Sequence, residues 1–335
     1  MTCRLAEVHG CPRVVRGSWA PGTPPHSIEK RSRLIDAYVV NAFLFRAATL
    51  AVGIVPRPVA AALASLGADV CWLVLRARRR VVEQNLQFIA PDRSAHERRQ
   101  LGKRTFRNLA ACMLDFLRVP ALSATELEVM LEWSGREHLD RALAHGRGAI
   151  VIGAHVGNFE IGGPAVAALG YPIYAYVEDQ EIPPSMYRAY ERCRSATGLR
   201  LIPLSNGARA GRRALADGAI VALLADRVIS GAGREVAFAH GRRFIPTGPA
   251  AMARWSGAPV LFFYLVLHPA GSPRYIGAIE PVELDASLDA DGALIAWTAA
   301  RVSRLVMDYP DQWFVFQPEW LERQRDQGGA VRADQ

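Results

Sequence analysis

Lysine is nearly absent from this chain of 335 residues: Lys30 and Lys103 are the only two, although Lys and Arg together number 40. Arginine therefore supplies almost all of the positive charge behind the formal net charge of +8. Such an excess suits anionic lipid head groups, phosphorylated acyl carriers or nucleic acid, although genome composition alone also produces it. No aromatic–basic repeat or zinc-ligand spacing supports nucleic acid, and we expect no nucleic-acid partner.

The motifs of several enzyme classes are missing as well. No G-x-S-x-G elbow is present, which argues against an α/β-hydrolase. Dinucleotide and P-loop phosphate chemistry lack support because neither G-x-G-x-x-G nor the P-loop lysine motif occurs. His96 and Glu97 are followed by Gln100 where a zinc hydrolase needs its second histidine, and we expect no metal. The five cysteines form no C-x-x-C pair, which favours a reduced compartment.

Two apolar stretches follow an N-terminal segment rich in turn-forming residues. Residues 37–55 and 59–75 are each near the ~20 residues that a bilayer span needs. Arg46 interrupts the first and Asp69 the second, and a charge at the bilayer centre costs about 2.5–3.5 kcal/mol. We therefore favour helices that lie in the membrane interface or enter one leaflet. The alternative is a pair of helices buried in the protein's own core.

The chain beyond this region alternates between helical and strand patterns. This predicts an α/β fold with a mostly parallel or mixed central sheet flanked by helices. Strands are predicted over residues 148–154, 171–177, 199–204, 219–225, 259–267 and 274–279. Helices are predicted over 81–119 and 292–308, with a further helix opened by the capping box of Ser123 and Glu126.

His155 and Glu160 form the most informative pattern in the chain. The apolar run over residues 148–154 indicates a buried strand, and Phe159 opens the next helix. A histidine at a strand end and a carboxylate one turn into the following helix can face one cavity, as a general base and the group that orients it. Because active sites of α/β sheets lie at the carboxyl ends of strands, we favour this interpretation over a histidine in a surface turn.

Three further blocks accompany the His155-x4-Glu160 pair. They lie at residues 78–86 with 95–99, at 223–227 with 236–250 and 257–260, and at 309–314 with Trp320. Together the blocks resemble the lysophospholipid acyltransferase superfamily, in particular the branch of lipid A late acyltransferases and phosphatidylinositol mannoside acyltransferases. The resemblance covers about residues 35–322. The runs 225–227 and 312–314 are similar to a less characterised branch of predicted acyltransferases, which leaves the acceptor lipid open.

The resemblance implies an O-acyltransferase that moves a fatty acyl chain from acyl-ACP or acyl-CoA to a hydroxyl of a lipid A-type precursor or a related lipid or glycolipid. His155 inherits the role of catalytic base and Glu160 that of its support. We expect Glu160 to hydrogen-bond the second ring nitrogen and fix the tautomer. No cofactor beyond the acyl donor is expected. The protein is expected to be a monomer at the cytoplasmic face of the inner membrane, in contact with anionic lipid through arginines such as Arg78 and Arg79.

Four segments follow from these patterns. We expect a disordered extension over residues 1–30, an N-terminal helical membrane-associating region over 31–120, an α/β acyltransferase domain over 121–323 and a flexible tail over 324–335. The extension lacks the continuous apolar core of a signal peptide.

Seven residues are predicted to bind substrate: Gly157, Asn158, Asp226, Arg227, Arg243, Thr247 and Gly248. The backbone N–H groups of Gly157 and Asn158 are candidate donors to an oxyanion at a helix N-terminus. Asn158 fits an N-cap equally well. Asp226 ends a strand and is predicted to contact the site, the alternative being a surface turn with Arg227.

The remaining candidates lie in the second block. Arg243, with its neighbour Arg242, is a candidate ligand for donor or head-group phosphates, the alternative being an exposed arginine. Thr247 and Gly248 are predicted to shape the pocket wall at the start of a helix.

A long acyl chain also needs an apolar groove, which the stretches near residues 161–169 and 260–266 are candidates to line. A different class of function fits the same apolar segments and arginines, namely an inactive lipid-binding protein on an acyltransferase scaffold. The intact His155 and Glu160 pair favours the enzyme.

Overall fold

The computed structural model describes residues 54–179, 184–229, 232–284 and 289–321. The predicted extension over residues 1–30, most of the first apolar stretch and the tail over 324–335 lie outside the described residues. The expected boundary at residue 120 stays a prediction.

Helices make up the first part of the described chain: α1 (Arg57–Val74), α2 (Arg76–Ile89), α3 (Ala95–Arg118) and α4 (Ala124–Val129). The predicted capping box opens α4, where the Ser123 hydroxyl accepts from the N–H of Glu126 at 3.2 Å and the Glu126 carboxylate accepts from the N–H of Ser123 at 2.8 Å. The helices predicted over residues 81–119 are confirmed.

Helix α1 buries small side chains and one tryptophan: Ala60, Ala68 and Trp72. Its large aliphatic side chains are at least half exposed, namely Val59, Leu63, Leu66, Val70, Leu73 and Val74. By length and composition this helix is able to cross a membrane, and 17% of the stretch is buried. Burial in the protein's own core therefore holds for Trp72 but not for the large aliphatic side chains of α1.

Asp69, the charge within this apolar stretch, is paired rather than isolated. Its carboxylate accepts two hydrogen bonds from Arg107 on α3, at 2.7 and 2.5 Å, and lies 3.2 Å from the ammonium of Lys103. The hydrogen bond from Arg107 is the main reason that the pKa of Asp69 is lowered to about 2. The pair fixes α1 against α3.

Nine strands occur in the described part of the chain: β1 (Leu131–Ser134), β2 (Ala149–Gly153), β3 (Ile173–Val177), β4 (Arg200–Pro203), β5 (Ile220–Leu224), β6 (Gly233–Phe238), β7 (Gly241–Pro246), β8 (Val260–Leu267) and β9 (Tyr275–Pro281). Seven of them form one sheet in the order β1-β9-β8-β2-β5-β3-β4. All neighbours in it are parallel except β8 and β9. The predicted α/β fold with a mostly parallel central sheet is confirmed.

Helices cover both faces of this sheet: α5 (Arg136–Leu143), α6 (Phe159–Ala168), α7 (Pro184–Ser195), α8 (Gly207–Ala216), α9 (Gly248–Ser256) and α10 (Ala290–Asp308). Successive side chains of β2 point to opposite faces of the sheet and so pack into two different hydrophobic cores. Ile150 and Ile152 pack in a cluster that contains Val302 of α10. Val151 points the other way and packs in a cluster with Leu139 of α5.

The six predicted strands are all present, and their predicted ends lie within two residues of the observed ends. Strand β1 and the hairpin of β6 and β7 were not predicted. Charged residues such as Arg234, Glu235 and Arg242 interrupt the apolar positions of the hairpin, so its apolar runs are too short to predict strands. Helix α10 was predicted over residues 292–308 and is confirmed.

Candidate active site

Two adjacent strands bring His155 and Asp226 together. In the register of β2 and β5, Gly153 lies opposite Leu224, so His155 and Asp226 each follow two residues after that pair. The Nδ1 atom of His155 lies 2.7 Å from Oδ1 of Asp226. The backbone N–H of His155 donates to Oδ2 of the same carboxylate at 3.1 Å. Asp226 therefore contacts the His155 imidazole, whereas its binding of substrate stays a prediction.

Asp226 is fully buried, whereas 15% of the His155 side chain is exposed. Burial on its own would raise the pKa of Asp226. The charge and hydrogen bond of His155, the hydrogen bond from the Trp313 indole at 3.0 Å and the charge of Arg243 outweigh burial and hold that pKa well below its ordinary value. An ionised carboxylate only accepts, so Nδ1 of His155 is the donor and the lone pair of the neutral ring is on Nε2.

Glu160 does not make its expected contact with His155. Its two carboxylate oxygens accept from Arg194 on α7, at 2.8 Å from Nε and 2.7 Å from Nη2. Among the described residues, the hydrogen-bond partner of the imidazole ring is Asp226. The interpretation of Glu160 as the group that orients the ring is corrected, because the first turn of α6 directs its carboxylate to α7.

The side chains of His155, Glu160, Arg194 and Arg227 line one cavity of about 580 Å³. Most of its remaining wall is apolar. It runs beneath α6 along the sheet and reaches Leu139, Val166, Ile173, Phe263 and Ile279. Both predicted apolar stretches, 161–169 and 260–266, contribute to this wall. The arrangement places the His155 imidazole, whose Nε2 has no hydrogen-bond partner among the described residues, beside an apolar space.

The sequence comparisons identify the family. The model of the bacterial lipid A biosynthesis acyltransferases matches residues 27–322. The chain belongs to this family of acyltransferases. The resemblance inferred from the four sequence blocks is confirmed.

Curated relatives with two different acceptors match the chain. A phosphatidylinositol mannoside acyltransferase of Mycolicibacterium smegmatis is 28% identical over 208 residues, which is 61% of this chain and 67% of the relative. The Mycobacterium tuberculosis protein of the same name is 28% identical over 213 residues, 62% of this chain and 66% of the relative. A lipid A biosynthesis palmitoleoyltransferase of Escherichia coli is 28% identical over 101 residues, 30% of this chain and 33% of the relative. The match thus spans about two thirds of the mannoside enzymes.

Within this acyltransferase, the N–H groups of Gly157 and Asn158 are not free. They donate to the carbonyls of Gln312 at 2.8 Å and of Leu265 at 2.7 Å. Gly157 has φ +61° and a Cβ there would lie 2.1 Å from the Leu265 carbonyl oxygen, so this glycine permits a close backbone approach. The assignment of these two N–H groups as oxyanion donors is wrong.

The side chain of Asn158 is the N-cap of α6. Its Oδ1 accepts from the N–H of Ile161 at 3.3 Å, and its amide donates to the hydroxyl of Tyr275 at 2.8 Å. Asn158 is 1% exposed. The N-cap alternative is therefore the one that the structure shows.

The remaining candidates, from the second sequence block, either line the cavity or lie behind its wall. Gly248 lines the cavity, as does Arg227, which also donates to Glu319 at 3.1 Å. Thr247 donates from its hydroxyl to the carbonyl of Ala232 at 3.0 Å and is not part of the cavity wall. Arg243 is fully buried behind Asp226, so the expectation that it binds phosphate groups is corrected.

Three residues of the site had no assigned role in the sequence. Arg194 binds Glu160, Trp313 donates to Asp226, and Glu319 accepts from Arg227 and Arg243. Trp313 belongs to the third sequence block, which was the available sign of its importance. Nothing local marks Arg194 or Glu319, because their partners are 34 residues or more away along the chain.

Proposed function

We propose that this enzyme transfers a fatty acyl chain from an acyl thioester, acyl-ACP or acyl-CoA, to a hydroxyl of a lipid or glycolipid. His155 is the general base and Asp226 orients it. The observation that carries this proposal is the 2.7 Å contact between His155 and Asp226 at the wall of an apolar cavity, in a member of an acyltransferase family. Relatives that acylate a phosphatidylinositol mannoside or a lipid A precursor support a glycolipid acceptor.

The reaction needs one base and no covalent enzyme intermediate. The acceptor hydroxyl oxygen attacks the thioester carbonyl while Nε2 of His155 takes the hydroxyl proton. The tetrahedral intermediate then collapses, the C–S bond breaks, and the imidazolium returns the proton to the leaving thiolate. The products are an ester and a free thiol. Asp226 stabilises the imidazolium, and base catalysis of this kind contributes about 10²–10⁴-fold.

The first turn of α6 supplies donors for the oxyanion. The N–H groups of Phe159 and Glu160 lie at the start of the helix, where no carbonyl of the same helix is available to them. Both residues line the cavity beside His155. The positive end of the helix dipole adds favourable charge for a developing oxyanion, and the guanidinium of Arg194 lies at the same cavity wall. In this arrangement Glu160 acts by holding Arg194 at the cavity wall.

The apolar part of the cavity takes the acyl chain. Burial of each methylene contributes about 0.8 kcal/mol before the entropic cost of binding. Gly162 and Gly163 allow α6 to pack closely at the cavity. A Cβ at Gly162 would lie 2.4 Å from Phe263, and a Cβ at Gly163 would lie 2.8 Å from Leu199. The apolar lining suits a fatty acyl chain.

The exposed apolar face of α1 supports contact of the enzyme with a lipid surface. Six large aliphatic side chains of α1 are at least half exposed, and exposed arginines such as Arg76, Arg78 and Arg80 follow the helix. Apolar area together with cationic side chains is what binds a protein to anionic membranes. We place this surface on the cytoplasmic side of the inner membrane, where the thioester donors are made.

The experiment is acyl transfer by the purified full-length protein. Labelled palmitoyl-CoA and palmitoyl-ACP are offered with phosphatidylinositol mannosides or with lipid A precursors, and products are identified by mass spectrometry. We expect a new ester with one acceptor class, none with His155→Ala, and normal turnover with His145→Ala, an exposed histidine outside the cavity. Folded protein that binds these lipids but acylates none of them would favour the inactive lipid-binding alternative.

A further inference from the structure

Arg243 is a completely buried cation. It lies on β7 with no exposed surface, enclosed by three aromatic rings. The guanidinium carbon is 4.7 Å from the ring centre of Trp313, 4.9 Å from that of Phe238 and 5.5 Å from that of Trp320. Cation–π contacts of this kind replace part of the hydration that the guanidinium loses.

Polar contacts of Arg243 are few for a group with five N–H donors. Its Nη2 donates to Glu319 at 3.2 Å, whereas Nε and Nη1 are buried without an acceptor in the described part of the chain. Burial of a charge with so few partners is costly, and packing alone would be served better by an apolar side chain of similar size. The positive charge of Arg243 therefore indicates a role other than packing.

The arginine is coupled to the site through Trp313. The indole N–H of Trp313 donates to Oδ2 of Asp226 at 3.0 Å, while the face of the same ring lies against the Arg243 guanidinium. The positive charge of Arg243 also helps to lower the pKa of Asp226. Asp226 thus lies between two cationic groups, Arg243 and the protonated form of His155.

We propose that Arg243 is a positioning residue that tunes the basicity of His155 by competing with the imidazolium for the negative charge of Asp226. This inference rests on the proposed function only for its catalytic consequence. With Arg243 present, part of the negative charge of Asp226 is already compensated, so the imidazolium gains less stabilisation from this carboxylate. Without the charge of Arg243, the imidazolium is held more strongly.

Other charged side chains also lie near the His155 and Asp226 pair. Glu319 is the counter-ion of both Arg243 and Arg227, so its removal increases the net positive charge behind Asp226. Glu160 and Arg194 line the same cavity as His155 and form a neutral pair. Neutral substitution of Arg243 therefore makes the electrostatic potential at Asp226 more negative, and neutral substitution of Glu319 makes it more positive.

The experiment is an NMR titration of the His155 imidazole in full-length protein, with His155→Ala to assign its signals. Arg243→Met should move the midpoint up by about 0.5–1 pH unit, the scale expected for a nearby charge that is not in contact with the imidazole. Arg243→Lys keeps the charge and should not produce this upward shift. Glu319→Gln should move the midpoint down. The acidic limb of the rate profile with palmitoyl-CoA should shift in the same directions.

An unchanged midpoint in folded Arg243→Met would overturn the inference and leave Arg243 as a packing residue. If that variant does not fold, Glu319→Gln decides, since an unmoved or raised midpoint there contradicts the inference equally. The titration does not need turnover. Absence of acyl transfer by the wild-type protein would therefore remove the proposed function without affecting this result.

Discussion

Nδ1 of His155 lies 2.7 Å from Oδ1 of Asp226, although 71 residues separate the two in the chain. The contact depends on two neighbouring parallel strands that end at the same edge of the sheet. The imidazole is thus held by a buried carboxylate on one side and faces an apolar cavity on the other. The carboxylate five residues after the histidine, Glu160, serves a different partner, Arg194.

Asp226→Asn should lower acyl transfer by about 10³–10⁴-fold. An amide at this position does not stabilise the imidazolium and allows the wrong tautomer of His155, as in a serine protease triad. The rate is measured with saturating palmitoyl-CoA and the acceptor identified above. Asp217→Asn, a change at an exposed residue that ends α8, is the matched control and should leave the rate unchanged. A rate for Asp226→Asn within a few-fold of wild type would contradict the assigned role.

Acid should destabilise the wild-type protein through Asp226. The pKa of Asp226 in the folded protein is lower than its ordinary value of ~3.9, so ionised Asp226 contributes stability that is fully present above that pH. This contribution is lost as the pH falls below ~3.9 towards the folded value. Unfolding of wild type and Asp226→Asn by urea from pH 6 to pH 3 measures the difference. It should shrink towards low pH, and a constant or growing difference would refute the assignment.

Glu160 and Arg194 should behave as one unit in a double-mutant cycle. Their side chains are 8% and 17% exposed, so either Glu160→Gln or Arg194→Met leaves a largely buried partner without its charge. Each should cost about 2–3 kcal/mol of the free energy of unfolding, somewhat less than for a fully buried pair. The double variant should cost clearly less than the sum of the two. Additive losses in urea unfolding would show that the pair is not coupled.

Gly162→Ala should shorten the acyl chain that the enzyme accepts. The new Cβ would lie 2.4 Å from Cε1 of Phe263, so the ring must move towards the cavity. Because a misplaced wall shifts the bound chain, we expect a loss of about tenfold or more in turnover with palmitoyl donors. Octanoyl donors, which reach less far, should be affected less. Gly67→Ala on α1, where no atom lies within 4 Å of the new Cβ, is the control. Equal losses for both chain lengths would place Gly162 away from the acyl site.

Local patterns were sufficient for the main elements of the fold. Apolar runs bounded by turn residues gave β2, β5 and β8, and the capping box at Ser123 gave the start of α4. The hairpin of β6 and β7 was missed because its contacts are with α10 and with the aromatic rings around Arg243, and its sequence shows no regular apolar alternation. Its charged residues, such as Arg234 and Glu235, look like a loop when only neighbours in sequence are considered.

Site residues could be selected from the sequence where their immediate neighbours in the chain set their position. Contacts between residues distant in the chain could not be predicted in this way. His155 and Asp226 were both recognised because each follows a strand end. The partner of Glu160 was assigned wrongly, since a spacing of five residues does not fix the direction in which a carboxylate points. Arg243 was placed at a substrate phosphate for a similar reason. Its burial depends on Trp313 and Trp320, which are at least 70 residues away along the chain.

The most direct test of this account is proton NMR of the His155 ring in wild-type protein, Glu160→Gln and Asp226→Asn. A hydrogen bond to an ionised carboxylate gives the Nδ1 proton a distinct downfield signal that exchanges slowly with water. The account predicts that this signal is present in wild type and in Glu160→Gln and absent from Asp226→Asn. A signal that persists in Asp226→Asn and disappears in Glu160→Gln would contradict it.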